Sequence, residues 1–282
     1  MEATVFVIVL VAAFFHATWN AFIKVDGNRV FFMALMLAFG GSVALISTAF
    51  LPLPHPESWP YIALSLLLHQ GYLIFLLLSY RFGDLSHVYP LARGSAPLIV
   101  ALFSITLIGE QLSHHSLVAI ALMGVGIMSL SFTRSAQNLR NPVAVFFALG
   151  TGLFIASYTL TDGVGARLAG NAHSYSAWML GLEWIPFAVY VFLRQRRNLK
   201  PHLVKMWKPA AVIGLLCLAA YWAVIWAMTV APIALVAALR ETSIVFVLIL
   251  GVVFLKERLS LVKLAATFTT LVGTILIKLG RT

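Results

Sequence analysis

The chain has 282 residues, 61% of them hydrophobic and only 10% charged, with a formal net charge of +10. Soluble domains carry about 25% charged residues, so a water-soluble globule is excluded. The excess of Lys and Arg does not point to nucleic acid, because these residues sit in short stretches between apolar runs, the pattern of membrane orientation.

A bilayer span needs about 20 apolar residues. Ten such runs are expected, near 3–23, 30–50, 59–80, 86–108, 115–132, 142–162, 173–193, 209–229, 232–255 and 260–279. The first lacks a basic leader and carries His16, Trp19 and Asn20 on one face, so it reads as a span rather than a signal peptide. The third offers Ser65, His69 and Tyr72 at helical spacing, with Gln70 beside His69. The fourth contains His87-Val88-Tyr89-Pro90-Leu91-Ala92-Arg93-Gly94-Ser95-Ala96-Pro97. An ionisable group inside a span costs about 2.5–3.5 kcal/mol on insertion scales, so Arg93 marks a candidate site, with Tyr89 one turn before it. Pro90 and Pro97 each remove a backbone donor, and with Gly94 they are expected to bend this span.

Further on, the sixth run places Tyr158 and Asp162 four residues apart, and the seventh holds Glu183 near its middle. Glu183 is the candidate for proton coupling, against a plain packing role. The eighth contains Tyr221, Trp222, Trp226 and the single cysteine, Cys217, which excludes an intrachain disulfide. The ninth carries Arg240 and Glu241 side by side. Adjacent residues lie about 100° apart on a helix and need not pair. The ligand-binding candidates are therefore Arg93, Arg240, Tyr89, Trp19, Asn20, His69, Tyr72, Tyr158, Trp222 and Glu241. The arginines suit a carboxylate or other anion. The aromatic groups suit an amphiphilic body or an amine. The histidines lie on separate runs or, as His114-His115, at a loop, so no metal set is expected, and no cofactor.

The two halves are in register. Arg93 and Arg240 are 147 residues apart, and the same offset aligns Glu110-Gln111-Leu112-Ser113 with Glu257-Arg258-Leu259-Ser260. Each Glu reads as structural, before a Ser that caps the next helix. Gly124, Gly126 and Gly273 read as close-packing positions or dimer contacts. The polar run 133–141 marks the boundary, giving units 1–136 and 137–282. Five spans per unit make the second unit inverted relative to the first. Fourteen Lys and Arg flank the loops after runs one, three, five, seven and nine, and only Arg167, Lys278 and Arg281 lie on the other side. That bias puts both termini outside the cytoplasm.

With His16-Ala17-Thr18-Trp19-Asn20-Ala21 closing the first run and Glu-x-Leu-Ser following the fourth and ninth, the whole chain resembles the drug/metabolite transporter superfamily, EamA type. The resemblance implies an all-α membrane protein of ten helices in two inverted five-helix repeats. It implies a multi-pass carrier in the bacterial inner membrane, working by alternating access around a central cavity. The expected solutes are small metabolites, amino acids or related zwitterionic and anionic amphiphiles, moved more by export than import, as monomer or homodimer. Competing readings are an exporter of cationic drugs and a membrane assembly or sensor subunit that moves nothing. No nucleophile elbow, phosphate-binding loop or nucleotide-binding domain is present in the sequence, so an enzyme is not expected.

Overall fold

The computed structural model describes residues 1–23, 29–132, 141–195, 199–255 and 260–280. Among these, the regular elements are all helical. They are α1 (Ala3–Ile23), α2 (Arg29–Ser47), α3 (Trp59–Phe82), α4 (Leu85–Phe103), α5 (His114–Ser129), α6 (Pro142–Leu168), α7 (Ala172–Gln195), α8 (Leu199–Val230), α9 (Ile233–Arg240), α10 (Ser243–Leu255) and α11 (Leu261–Leu279). Eight helical segments are long and apolar enough to cross a bilayer, counting Ile233–Val253 as one, and Ala3–Trp19 and His114–Ser129 are shorter apolar helices.

The bundle is apolar on its outside. Leu67, Phe146, Leu193, Val253 and Phe268 are more than half exposed, while His69, Arg93, Asp162, Arg240 and Glu241 are buried. That is the inverse of a soluble globule and fits lipid as the surrounding solvent. The main packing pairs are α1 with α8, α3 with α6, α2 with α7, α5 with α11 and α4 with α6. α4 also meets α9, and α1 meets α10.

Two departures from the expected helices matter for the site. α4 runs unbroken through Pro90 and Pro97 and then widens into a π turn at Ser104–Ile108. Its prolines therefore do not break the helix. Gly94 serves instead as a point of close approach, since a Cβ there would lie 2.6 Å from the Gly124 carbonyl oxygen of α5. The interruption falls in the ninth run. The Glu241 and Thr242 amides donate to Ala238 and Leu239, three residues back, and the Thr242 hydroxyl also takes the Leu239 carbonyl. The shift from four-residue to three-residue bonds ends α9 before α10 begins.

The predicted serine caps are present. Ser113 accepts from the Ser116 amide and Ser260 from the Lys263 amide. Glu257 lies outside the described residues.

Candidate functional site

The α9–α10 break places Glu241 between the two arginines. Its Oε2 lies 3.0 Å from Arg93 Nε on α4, and its Oε1 lies 3.9 Å from Arg240 Nε. Adjacent Arg240 and Glu241 thus share a cluster because the backbone is tightened between them and α10. All three side chains are at least nine-tenths buried. The Arg93–Glu241 contact is ionic without linear hydrogen-bond alignment, and Arg240 Nε also has no aligned acceptor among the described residues. Arg93 adds a long bond of 3.4 Å from Nη2 to the Ser243 hydroxyl. Two guanidinium groups facing one carboxylate leave one positive charge in excess.

Aromatic side chains surround this group. Tyr89, Tyr158 and Tyr72 stand within electrostatic reach of Arg93, and His16 lies within reach of both arginines. Trp19 packs edge-on against His16, with ring centroids 4.9 Å apart. Tyr72 and Tyr158 meet edge to face at 5.8 Å. Tyr158 then joins the arginine group to a second polar cluster, because its ring stacks on His69 at 4.0 Å.

The second cluster is built from α3, α6, α7 and α8. His69 Nδ1 is 2.9 Å from the Ser65 carbonyl oxygen, and its Nε2 faces Glu183 Oε1 at 3.9 Å. Asp162 accepts one phenol on each oxygen, from Tyr175 at 3.0 Å and from Tyr221 at 2.6 Å. Gln70 donates to the Glu183 backbone carbonyl at 3.1 Å and ties α3 to α7. The hydrogen bonds to Asp162 and His69 offset much of the cost of holding them at this depth.

The sequence candidates divide accordingly. Arg93, Arg240, Glu241, Tyr89, Tyr72 and Tyr158 come together, with Trp19 beside His16. His69 and Glu183 form the adjoining cluster. Trp222 stands apart, its indole N–H donating to His173 Nδ1 at 2.9 Å on an exposed surface. The Asn20 side chain lies outside the described residues. Sequence reading did not list Asp162, Tyr175 or Ser243 as site residues. The four-residue spacing of Tyr158 and Asp162 was a usable signal, whereas Tyr175 and Ser243 carry none.

A third charged group ties the two halves at the start of α9. Glu110, in the loop after the π turn, accepts from the Ile233 amide at 2.9 Å and from Arg167 at 2.7 Å, and also from the Ala234 amide and the Ser104 hydroxyl. Arg167 also donates to the Met228 and Ala231 carbonyls at the end of α8. Glu110 therefore caps α9 rather than the neighbouring α5.

Residues 142–279 match the model of the EamA-like transporter family. No curated protein matches the chain. A solved structure described only as "Crystal structure of protein" is similar over 99% of both chains, with 16% identity and a TM-score of 0.74. That likeness concerns the fold alone.

Proposed function

We propose, from the match of residues 142–279 to the EamA-like transporter family, part of the drug/metabolite transporter superfamily, a secondary carrier built as two inverted five-span repeats, 1–136 and 137–282. The helix pairings support the repeat. With α9 and α10 counted as one span, exchanging each span with the one five places on turns first–eighth into sixth–third and fourth–sixth into ninth–first. Second–seventh, fifth–tenth and fourth–ninth map onto themselves. Two-fold packing of this kind suits alternating access by rocking one half against the other.

The solute is a small amphiphilic metabolite with a carboxylate, such as an amino acid or a related anion, exported across the bacterial inner membrane. One observation carries this reading. Arg93 and Arg240, equivalent in the two halves, are buried together and share the single carboxylate of Glu241. The solute carboxylate binds at Arg240, whose Nε has no aligned acceptor among the described residues. Tyr72, Tyr158 and Trp19 contact its apolar part.

Flux in sealed proteoliposomes tests the proposal. Arg240→Gln is expected to lower carboxylate uptake by roughly tenfold or more, since a lost charge-assisted bond is worth about 1.5–3 kcal/mol. Uptake of the methyl ester of the same solute should change little. Equal uptake of acid and ester by the unaltered protein refutes the site, and absence of flux for every solute class refutes the carrier.

A further inference from the structure

We propose that His69 and Glu183 jointly hold one proton whose binding and release drives the carrier, an inference that rests on the transporter reading above. The geometry assigns the proton positions. His69 Nδ1 lies 2.9 Å from the Ser65 carbonyl oxygen, which only accepts, and 3.2 Å from the Ser65 hydroxyl, which can accept as well as donate, so the carbonyl favours a hydrogen on Nδ1. The remaining nitrogen, Nε2, is the basic one, and it faces Glu183 Oε1. A proton entering this pair resides on Nε2 or on the Glu183 carboxyl group. Its departure leaves a neutral imidazole and a carboxylate. No bond between heavy atoms is made or broken.

Asp162 does not share this role. Both of its oxygens already accept phenol hydrogens, from Tyr175 and Tyr221, and are not free to take part. When the proton leaves, Glu183 carries a half-buried negative charge with no cation beside it, and that charge opposes the packed arrangement. When the proton returns, the pair is neutral overall and the arrangement closes. The 3.9 Å gap is too long for a hydrogen bond, so a small approach of α3 to α7 forms one. His69 belongs to the first half of the chain and Glu183 to the second. Proton occupancy therefore biases how the halves sit against each other.

The surrounding groups are consistent with a proton site. α6 brings Tyr158 and Asp162, α8 brings Tyr221 and Cys217, and α3 itself adds Tyr72. Tyr175, on α7 with Glu183, is held by Asp162. α2, which packs on α7, carries no titratable residue between 30 and 47. Among the described residues no three His, Cys, Asp or Glu side chains converge as a metal ion would need.

Two measurements test the proposal. The first needs no substrate. In protein with nitrogen-15-labelled histidine, the His69 resonances should show Nδ1 protonated throughout, with the pH response confined to Nε2 and altered by Glu183→Gln. A pH response that Glu183→Gln leaves unchanged overturns the pair. The second uses proteoliposomes, with a labelled mixture of leucine, phenylalanine and hexanoate as probe. The unaltered protein should accumulate solute under a pH difference and also exchange labelled for unlabelled solute at equal pH. Glu183→Gln and His69→Gln should each lose roughly tenfold or more of the driven accumulation, and Glu183→Gln, which is not among the ligand-binding candidates, should keep the exchange. Driven accumulation that survives both substitutions overturns the proton pair and leaves the carrier standing. An unaltered protein with no flux at all fails the carrier reading instead, and the resonance measurement then decides the pair by itself.

Discussion

Glu241 is the residue on which the arginine cluster closes. It neutralises Arg93 directly and Arg240 at longer range, and it is 1% exposed. Removing one partner of a buried ion pair leaves the other charge uncompensated, at a cost of about 3–5 kcal/mol. Glu241→Gln should therefore lower stability by that order, read as a drop in melting temperature in detergent. A double change of Arg93 and Glu241 to Met should recover much of the loss, because it removes both charges together; no recovery would show that the pair acts independently of its charge. The three charged residues were legible in the sequence because an ionised group in an apolar run is costly and stands out. Asp162 was half legible, through its spacing from Tyr158. Its second phenol, Tyr175, was not, since a tyrosine on a separate helix has no periodic relation to the carboxylate it binds. Trp222 had the composition of a site residue, but its helix turns it toward His173.

At the level of elements, the sequence located the apolar runs and left their continuity open. Prolines in α4 suggested a bend, and the helix runs on past both without interruption, packed against α5 and α6. The actual break, at Glu241–Thr242, has no proline or glycine to announce it. It arises from a tightened turn and from the Thr242 hydroxyl bonding to Leu239. α9 is short, begins after Pro232 without a side-chain cap of its own, and relies on Glu110 from the other half. Losing a helix cap costs about 0.5–2 kcal/mol. Glu110→Gln should destabilise by that amount and also loosen the joint between the first half and the α8–α9 corner. The expected sign is faster maleimide labelling of a cysteine placed at Ala234, with Glu110→Asp intermediate. Labelling at an unchanged rate would confine Glu110 to an ordinary cap.

For the whole molecule, the charge pattern gives an orientation that labelling can check. Cysteines replacing His55, between α2 and α3, and Asp84, between α3 and α4, lie at opposite ends of α3. The first should react with an impermeant reagent from outside intact cells and the second only after the cytoplasmic face is opened. The reverse result would invert the assignment of both termini. Packing sets a second whole-molecule expectation. Gly94→Val places a branched side chain against the Gly124 carbonyl oxygen and should separate α4 from α5 at a cost of about 1–3 kcal/mol, measurable as reduced thermal stability.

The helix break also bears on energetics between states. If the two halves were identical in conformation as well as in order, exchange of their roles would cost nothing, and inward-open and outward-open forms would be equally populated. Here α4 is continuous where its counterpart is divided at Glu241–Thr242. In the proposed carrier the twin halves would be unequal springs, and the empty protein would idle facing one compartment, returning to it after each delivery.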